Sequence, residues 1–95
     1  MRFSWDEAKN RGNRRKHGVS FETAVRAFLD PMHITRQDRV TDGEQRWHTI
    51  GKVNGALLLI IAYTVIDEGE EWLRIISARK VTRQERIENE EANEF

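Results

Sequence analysis

Residues 45–65 read Gln-Arg-Trp-His-Thr-Ile-Gly-Lys-Val-Asn-Gly-Ala-Leu-Leu-Leu-Ile-Ile-Ala-Tyr-Thr-Val, and this pattern decides the fold. Two strand-forming runs, 45–53 and 56–65, flank Asn54-Gly55, the strongest short hairpin signal. Residues 57–62 are continuously apolar, so the second run is a central strand covered on much of both faces. In the first run Arg46 and His48 share one face, while Trp47 and Thr49 share the other. An arginine beside a histidine on a sheet surface can hold a phosphate and move a proton. A solvated strand face accounts for the same pair. Tyr63, near the end of the central strand, is either a packing residue at the rim or a hydrogen-bond donor in a site.

Toward the C-terminus, Asp67-Glu68-Gly69-Glu70 turns the chain into a strand over 72–80. Strict alternation there puts Leu73, Ile75, Ser77 and Arg79 on one face, and Arg74, Ile76, Ala78 and Lys80 on the other. Small neighbours Ser77 and Ala78 leave room around Arg79, which makes it a candidate phosphate contact. Arg74 is equally readable as a surface residue and stays outside the core set. Thr82 and Glu85 have the spacing of a capping box for a final helix.

Toward the N-terminus, Thr41-Asp42-Gly43-Glu44 reads as a turn and 32–38 as a strand. A helix begins at Ser20, with Val19 and Ala24 as a hydrophobic staple. Phe21, Ala24, Val25, Phe28 and Leu29 follow helical spacing, so one face is buried, and Asp30-Pro31 ends the helix. An earlier helix over 7–17 is capped by Ser4 or Asp6 and stopped by Gly18. Phe3 and Trp5 alternate with polar neighbours as in an edge strand. The order predicts an α+β fold: an antiparallel meander sheet with two N-terminal helices and a C-terminal helix, the helices on one face. The other face is then partly open. The 95 residues form one domain, 1–95.

Lys9 to Gly18 adds chemistry. It carries five cations and no carboxylate, with His17 just before Gly18. Lys16 and His17 can simply cap the helix C-terminus, where cations are favoured. Arg14, Arg15 and Lys16, however, span nearly a full turn and cannot all face a core. A second basic set, Arg74, Arg79, Lys80 and Arg83, lies near the other end. Two such sets in a short chain point to a nucleic-acid backbone.

The formal charge of zero conceals a division. Residues 81–95 hold two arginines and five glutamates (net −3), and 1–80 hold 14 cations and 11 carboxylates (net +3). The acidic tail either competes with nucleic acid or meets a basic partner. Metal binding is not expected, since His17, His33 and His48 lack ligand spacing; no cofactor is implied. Trp5, Trp47 and Trp72 can stack on bases, but core packing is the commoner role. The chain contains no cysteine and no apolar run long enough to span a membrane, which fits a cytoplasmic setting.

Phe3-Ser-Trp-Asp6, Lys9 with Asn13, Lys16-His17-Gly18, Phe21-Glu22 with Ala24, Asp30-Pro31, Arg46-Trp47 with Ile50-Gly51, Tyr63-Thr64, and Arg74-Ile-Ile-Ser-Ala-Arg79 with Thr82-Arg83 and Glu85 together resemble the BrnT toxins. The resemblance covers nearly the whole chain in order. It implies a RelE-like fold and a type II toxin–antitoxin ribonuclease that inhibits translation. It also implies a BrnA-type antitoxin partner, which supplies DNA operator binding, and a toxin–antitoxin heterotetramer. On this reading the chain is a metal-independent endoribonuclease that forms a 2′,3′-cyclic phosphate. His48 or His17 transfers protons, with Tyr63 as a possible acid. Arg46, Arg79 and Lys16 hold the phosphate, and Arg14, Arg15 and Arg83 extend the RNA track. Two alternatives stand beside it: a non-catalytic nucleic-acid-binding module and a protein-interaction element.

Overall fold

Left-handed backbone at two short turns sets the meander. Asp42 and Gly43 take φ of 52° and 77°, and Asn54 and Gly55 take 55° and 71°, the conformation that tight hairpins require. A computed structural model describes residues 1–93 of the chain. The elements run β1 (Arg2–Ser4), α1 (Glu7–His17), α2 (Phe21–Ala24), a 3₁₀ segment (Val25–Leu29), β2 (Ile34–Thr41), β3 (Glu44–Val53), β4 (Leu57–Asp67), β5 (Glu71–Lys80) and α3 (Arg83–Asn93). The β3–β4 connection holds three residues, because Val53 pairs with Leu57. The predicted α+β architecture is present, with the strand order β1-β5-β4-β3-β2.

Three expectations are corrected. The sheet is mixed and not wholly antiparallel, since β1 pairs in parallel with β5. The second helix is short: after Ala24 the chain tightens into the 3₁₀ segment. With three residues per turn the apolar stripe rotates, so Ala27 is buried in the core and Leu29 is 81% exposed. The helices also do not share one face. The N-terminal ones pack with the core, whereas Glu85 and Glu88 of α3 border a cleft on the opposite face of the sheet.

The core lies between the sheet and α2 with its 3₁₀ extension. Phe21, Leu59, Ile61 and Ile75 are fully buried, joined by Phe28, Leu73 and Ala78. Gly51 permits the closest approach: a Cβ there would collide with the Ala27 carbonyl oxygen. Asp30 ties the corner before β2 to β3 by accepting from the Lys52 (2.8 Å) and Met32 (2.9 Å) backbone N–H groups. Those two bonds, the one from Lys52 foremost, hold its carboxyl below the usual range.

α1 has little hydrocarbon to bury and docks through amides. Asn13 donates to the Val19 and Ala78 carbonyls, both at 2.8 Å, and accepts from the Ala78 N–H at 3.2 Å. It therefore acts as one extra strand residue on the part of β5 that β1 does not reach. Asn10 accepts from the Phe21 N–H at 2.8 Å and donates to Glu7 and Glu22. Gly18 closes the helix at φ 71°. No described helix is long and apolar enough to cross a membrane.

Candidate active site on the open sheet face

Strand register assembles the site. Residues directly opposite one another in neighbouring strands project to the same face. One row joins Arg46, Thr64 and Arg74; the next joins Arg36, His48, Ala62 and Ser77; a third joins Ile34, Ile50, Ile60 and Arg79. All lie on the face opposite the core. A bulge in β5 makes this possible. Ala62 pairs with Ser77 and Tyr63 with Ile75, leaving Ile76 extra. Strict alternation fails there: Ala78 joins Leu73 and Ile75 in the core, and Arg74 and Arg79 come to one face.

A cleft of about 190 Å³ sits over the second and third rows. Ile34, Ile50 and Ile60 give it an apolar floor, and Arg36, His48, Glu85 and Glu88 border it. The His48 Nε2 lies 3.1 Å from the Asp38 Oδ2, both side chains being about one-third exposed. Arg79 is engaged by a two-pronged contact, Nη1 to Glu85 Oε1 at 2.6 Å and Nη2 to Oε2 at 2.8 Å. That fork, with bonds from Thr82, pushes the Glu85 carboxyl down to about 2 and raises Arg79 above its ordinary value. Glu85 also completes the capping box: it accepts from the Thr82 N–H at 2.9 Å, while the Thr82 hydroxyl accepts from the Glu85 N–H at 3.1 Å. Arg46 has no carboxylate partner among the described residues, and its buried Nε has no hydrogen-bond acceptor there.

Arg46, His48 and Arg79 thus share a face, while the remaining sequence candidates sit elsewhere. Tyr63 is buried on the core face, its hydroxyl 2.9 Å from the Thr49 Oγ1, itself 2.9 Å from the Thr35 Oγ1. It is separated from His48 by the thickness of the sheet. Arg14 borders a recess with Val19, Ser20 and Leu57 beside α2. Arg15 and Lys16 are exposed on α1, and His17 is half-buried at its end. Arg83 is exposed at the start of α3. Among the described residues none of these five forms an ion pair or hydrogen bond with the His48 group. Trp5 packs edge-on against Phe21, and Trp47 packs on the core. Trp72 lies in register with Ile66 on the open face, with the Arg2 guanidinium 5.6 Å from its ring centroid.

Sequence reasoning passed over Arg36 and Asp38 and left Arg74 outside the core set. Arg36 was findable by alternation from a strand paired to β3, whereas Asp38 reaches His48 through an irregularity in β2. Arg74 was concealed by the bulge, which no residue type in β5 announces. Among the described residues no three His, Asp or Glu side chains are grouped to hold a metal ion.

The open face can therefore offer a phosphodiester several guanidinium groups around one imidazole. Comparison with known proteins points to a ribonuclease family. The family model described as the ribonuclease toxin BrnT of type II toxin–antitoxin systems matches residues 5–85. The crystal structure of the Brucella abortus ribonuclease toxin BrnT is similar at 26% sequence identity and a TM-score of 0.65, over 87% of this chain and 99% of that one. No curated protein sequence gives a significant match.

Proposed function

This chain belongs to the BrnT family of type II toxin–antitoxin ribonuclease toxins, and from that premise we propose that it cuts RNA without a metal ion at the open sheet face centred on His48. The single observation that carries this reading is the register that gathers Arg36, Arg46 and Arg74 around His48 on the sheet face opposite the core. The ribose 2′-hydroxyl attacks the adjacent 3′-phosphate. His48 removes its proton, the arginines hold the charge that accumulates on the phosphoryl oxygens, and the 5′-oxygen leaves with a proton from solvent. The products are a 2′,3′-cyclic phosphate and a 5′-hydroxyl. General acid–base help of this kind supplies roughly 10²–10⁴-fold, and preorganised cations at least as much. Arg79 joins the phosphate site when RNA replaces Glu85 on its guanidinium. Lys16, Arg14, Arg15 and Arg83 extend the backbone track beyond the reacting centre. Tyr63 supports the sheet from the core side.

In the cell the reading places the chain as a RelE-like toxin that halts translation in the cytoplasm until a BrnA-type antitoxin binds it. That antitoxin contributes the operator contact within a heterotetramer. Purified protein incubated with RNA in EDTA tests the chemistry. Fragments ending in 2′,3′-cyclic phosphate are expected, and His48→Ala and Arg46→Ala should each slow cutting at least about 100-fold while melting like the parent. RNA retained on the protein without new ends would replace the enzyme with a binding module.

A further inference from the structure

We propose that Asp38 is the positioning residue for His48, fixing which ring nitrogen meets the RNA; this rests on the ribonuclease reading above. Three observations support it. First, β2 is irregular where Asp38 lies. Gln37 pairs with Trp47 and Val40 with Gln45, so the stretch between them holds one residue more than its partner strand. An extra residue there re-aims a side chain that regular pairing would set opposite Arg46. Second, the irregularity is pinned: the Gln45 side-chain amide donates to the Asp38 carbonyl across the strands and also to the Arg46 carbonyl at 2.8 Å. Third, the Asp38 carboxylate has arginines on its own face, yet its contact is the His48 Nε2 at 3.1 Å.

The chemical consequence follows from proton inventory. A carboxylate accepts only, so a neutral imidazole that hydrogen-bonds Asp38 across this 3.1 Å separation must carry its proton on Nε2. The lone pair is then on Nδ1. In the reaction the 2′-hydroxyl proton passes to Nδ1, the 2′-oxygen bonds to phosphorus, and the bond to the 5′-oxygen breaks as that oxygen takes a proton from solvent. Nε2 keeps its proton throughout. Asp38 remains ionised and faces the imidazolium while it exists. Arg36 is paired with His48 across the strands. It balances the added negative charge so that Asp38 need not repel the incoming phosphate.

Two measurements on the intact chain test this. Nitrogen-15 NMR of histidine-labelled protein without RNA should show neutral His48 as a single Nε2–H tautomer. Asp38→Asn, whose amide can donate to Nε2, should show Nδ1–H populated as well. A predominantly Nδ1–H ring in the parent overturns the pairing whatever the enzyme does. On an RNA oligonucleotide, Asp38→Asn should lower kcat about 10- to 100-fold with KM unchanged or lower, and Asp38→Glu should recover part of the loss. If the parent cuts RNA, His48→Ala is inactive and folded Asp38→Asn keeps full kcat, the positioning role is wrong and the ribonuclease reading survives. If His48→Ala cuts like the parent, the His48 centre itself is wrong and the role of Asp38 falls with it.

Discussion

At the residue scale, the most consequential side chain for the fold is an amide. Asn13 satisfies the Val19 carbonyl and both backbone groups of Ala78 from a buried position. Alanine there leaves two carbonyls and one N–H without partners in a space closed to bulk water. Each such group costs about 1–3 kcal/mol, and shared relaxation keeps the sum below additivity. Asn13→Ala should therefore lose roughly 3 kcal/mol in urea titration, and Asn13→Asp should also lose stability, because a carboxylate can donate to neither carbonyl. A loss below about 1 kcal/mol would mean that α1 is held by something else. Residue type alone did not disclose this role. Asn13 stands within a run of cations, and its partners are 6 and 65 positions away. The histidine was legible because an Arg-x-His spacing on a strand is a local pattern; its carboxylate partner depends on a strand irregularity.

At the element scale, α3 is a helix anchored over the proposed phosphate site by its own first turn. The Thr82–Glu85 capping box was readable from a three-residue spacing. That the same glutamate would hold Arg79 was not, since the contact requires the start of α3 to lie beside the open face. The division of β5 residues between its two faces was misread for a different reason, as one bulged residue inverts the alternation beyond it. Glu85 thus competes with any phosphate for Arg79. Glu85→Gln keeps the cap, because glutamine also fits a capping box, but removes the charge. RNA binding should tighten about two- to fivefold, the equivalent of ~0.4–1 kcal/mol for a partly exposed pair. Unchanged or weaker binding by the folded variant would show that Glu85 only buttresses Arg79. Acid supplies a second measurement. The Glu85 carboxyl titrates at about 2 when folded and near its ordinary 4.5 when unfolded. The unfolded chain then takes up protons first, so the contribution is complete above about 4.5 and is lost as pH falls toward 2. Asp30 is shifted in the same direction. The melting temperature should be level from pH 7 to 5 and fall below about 4.5, and Glu85→Gln should fall less steeply. Equal slopes would remove Glu85 from the acid response.

At the scale of the whole molecule, the division of charge seen in the sequence becomes a spatial one. The first 80 residues carry the net +3 and the last 15 the net −3, and α3 brings Glu85 and Glu88 to the cationic face. Glu94 lies outside the described residues. The meander and its central strand were legible because Asn-Gly, Asp-Gly and a continuous apolar run are local signals. The convergence of arginines was legible only in outline: basic sets at both ends suggested a phosphate ligand, yet the N-terminal set lies on α1 and the cations beside His48 come from β2, β3 and β5. Net charge therefore misstates what RNA meets. Three arginines on that face, Arg36, Arg46 and Arg74, are free of carboxylate partners among the described residues, while Arg79 is occupied. Each phosphate neutralised on a single strand contributes about −0.7 to the slope of log K against log salt. On an oligonucleotide too short to reach the α1 cations and Arg83, the parent chain should give a slope of about −2, Arg46→Ala about −1.4, and Glu85→Gln about −3 as Arg79 becomes a fourth contact. A parent slope near zero would mean that RNA is not held by this face, and a slope unchanged by Arg46→Ala would move the contact to the α1 cations.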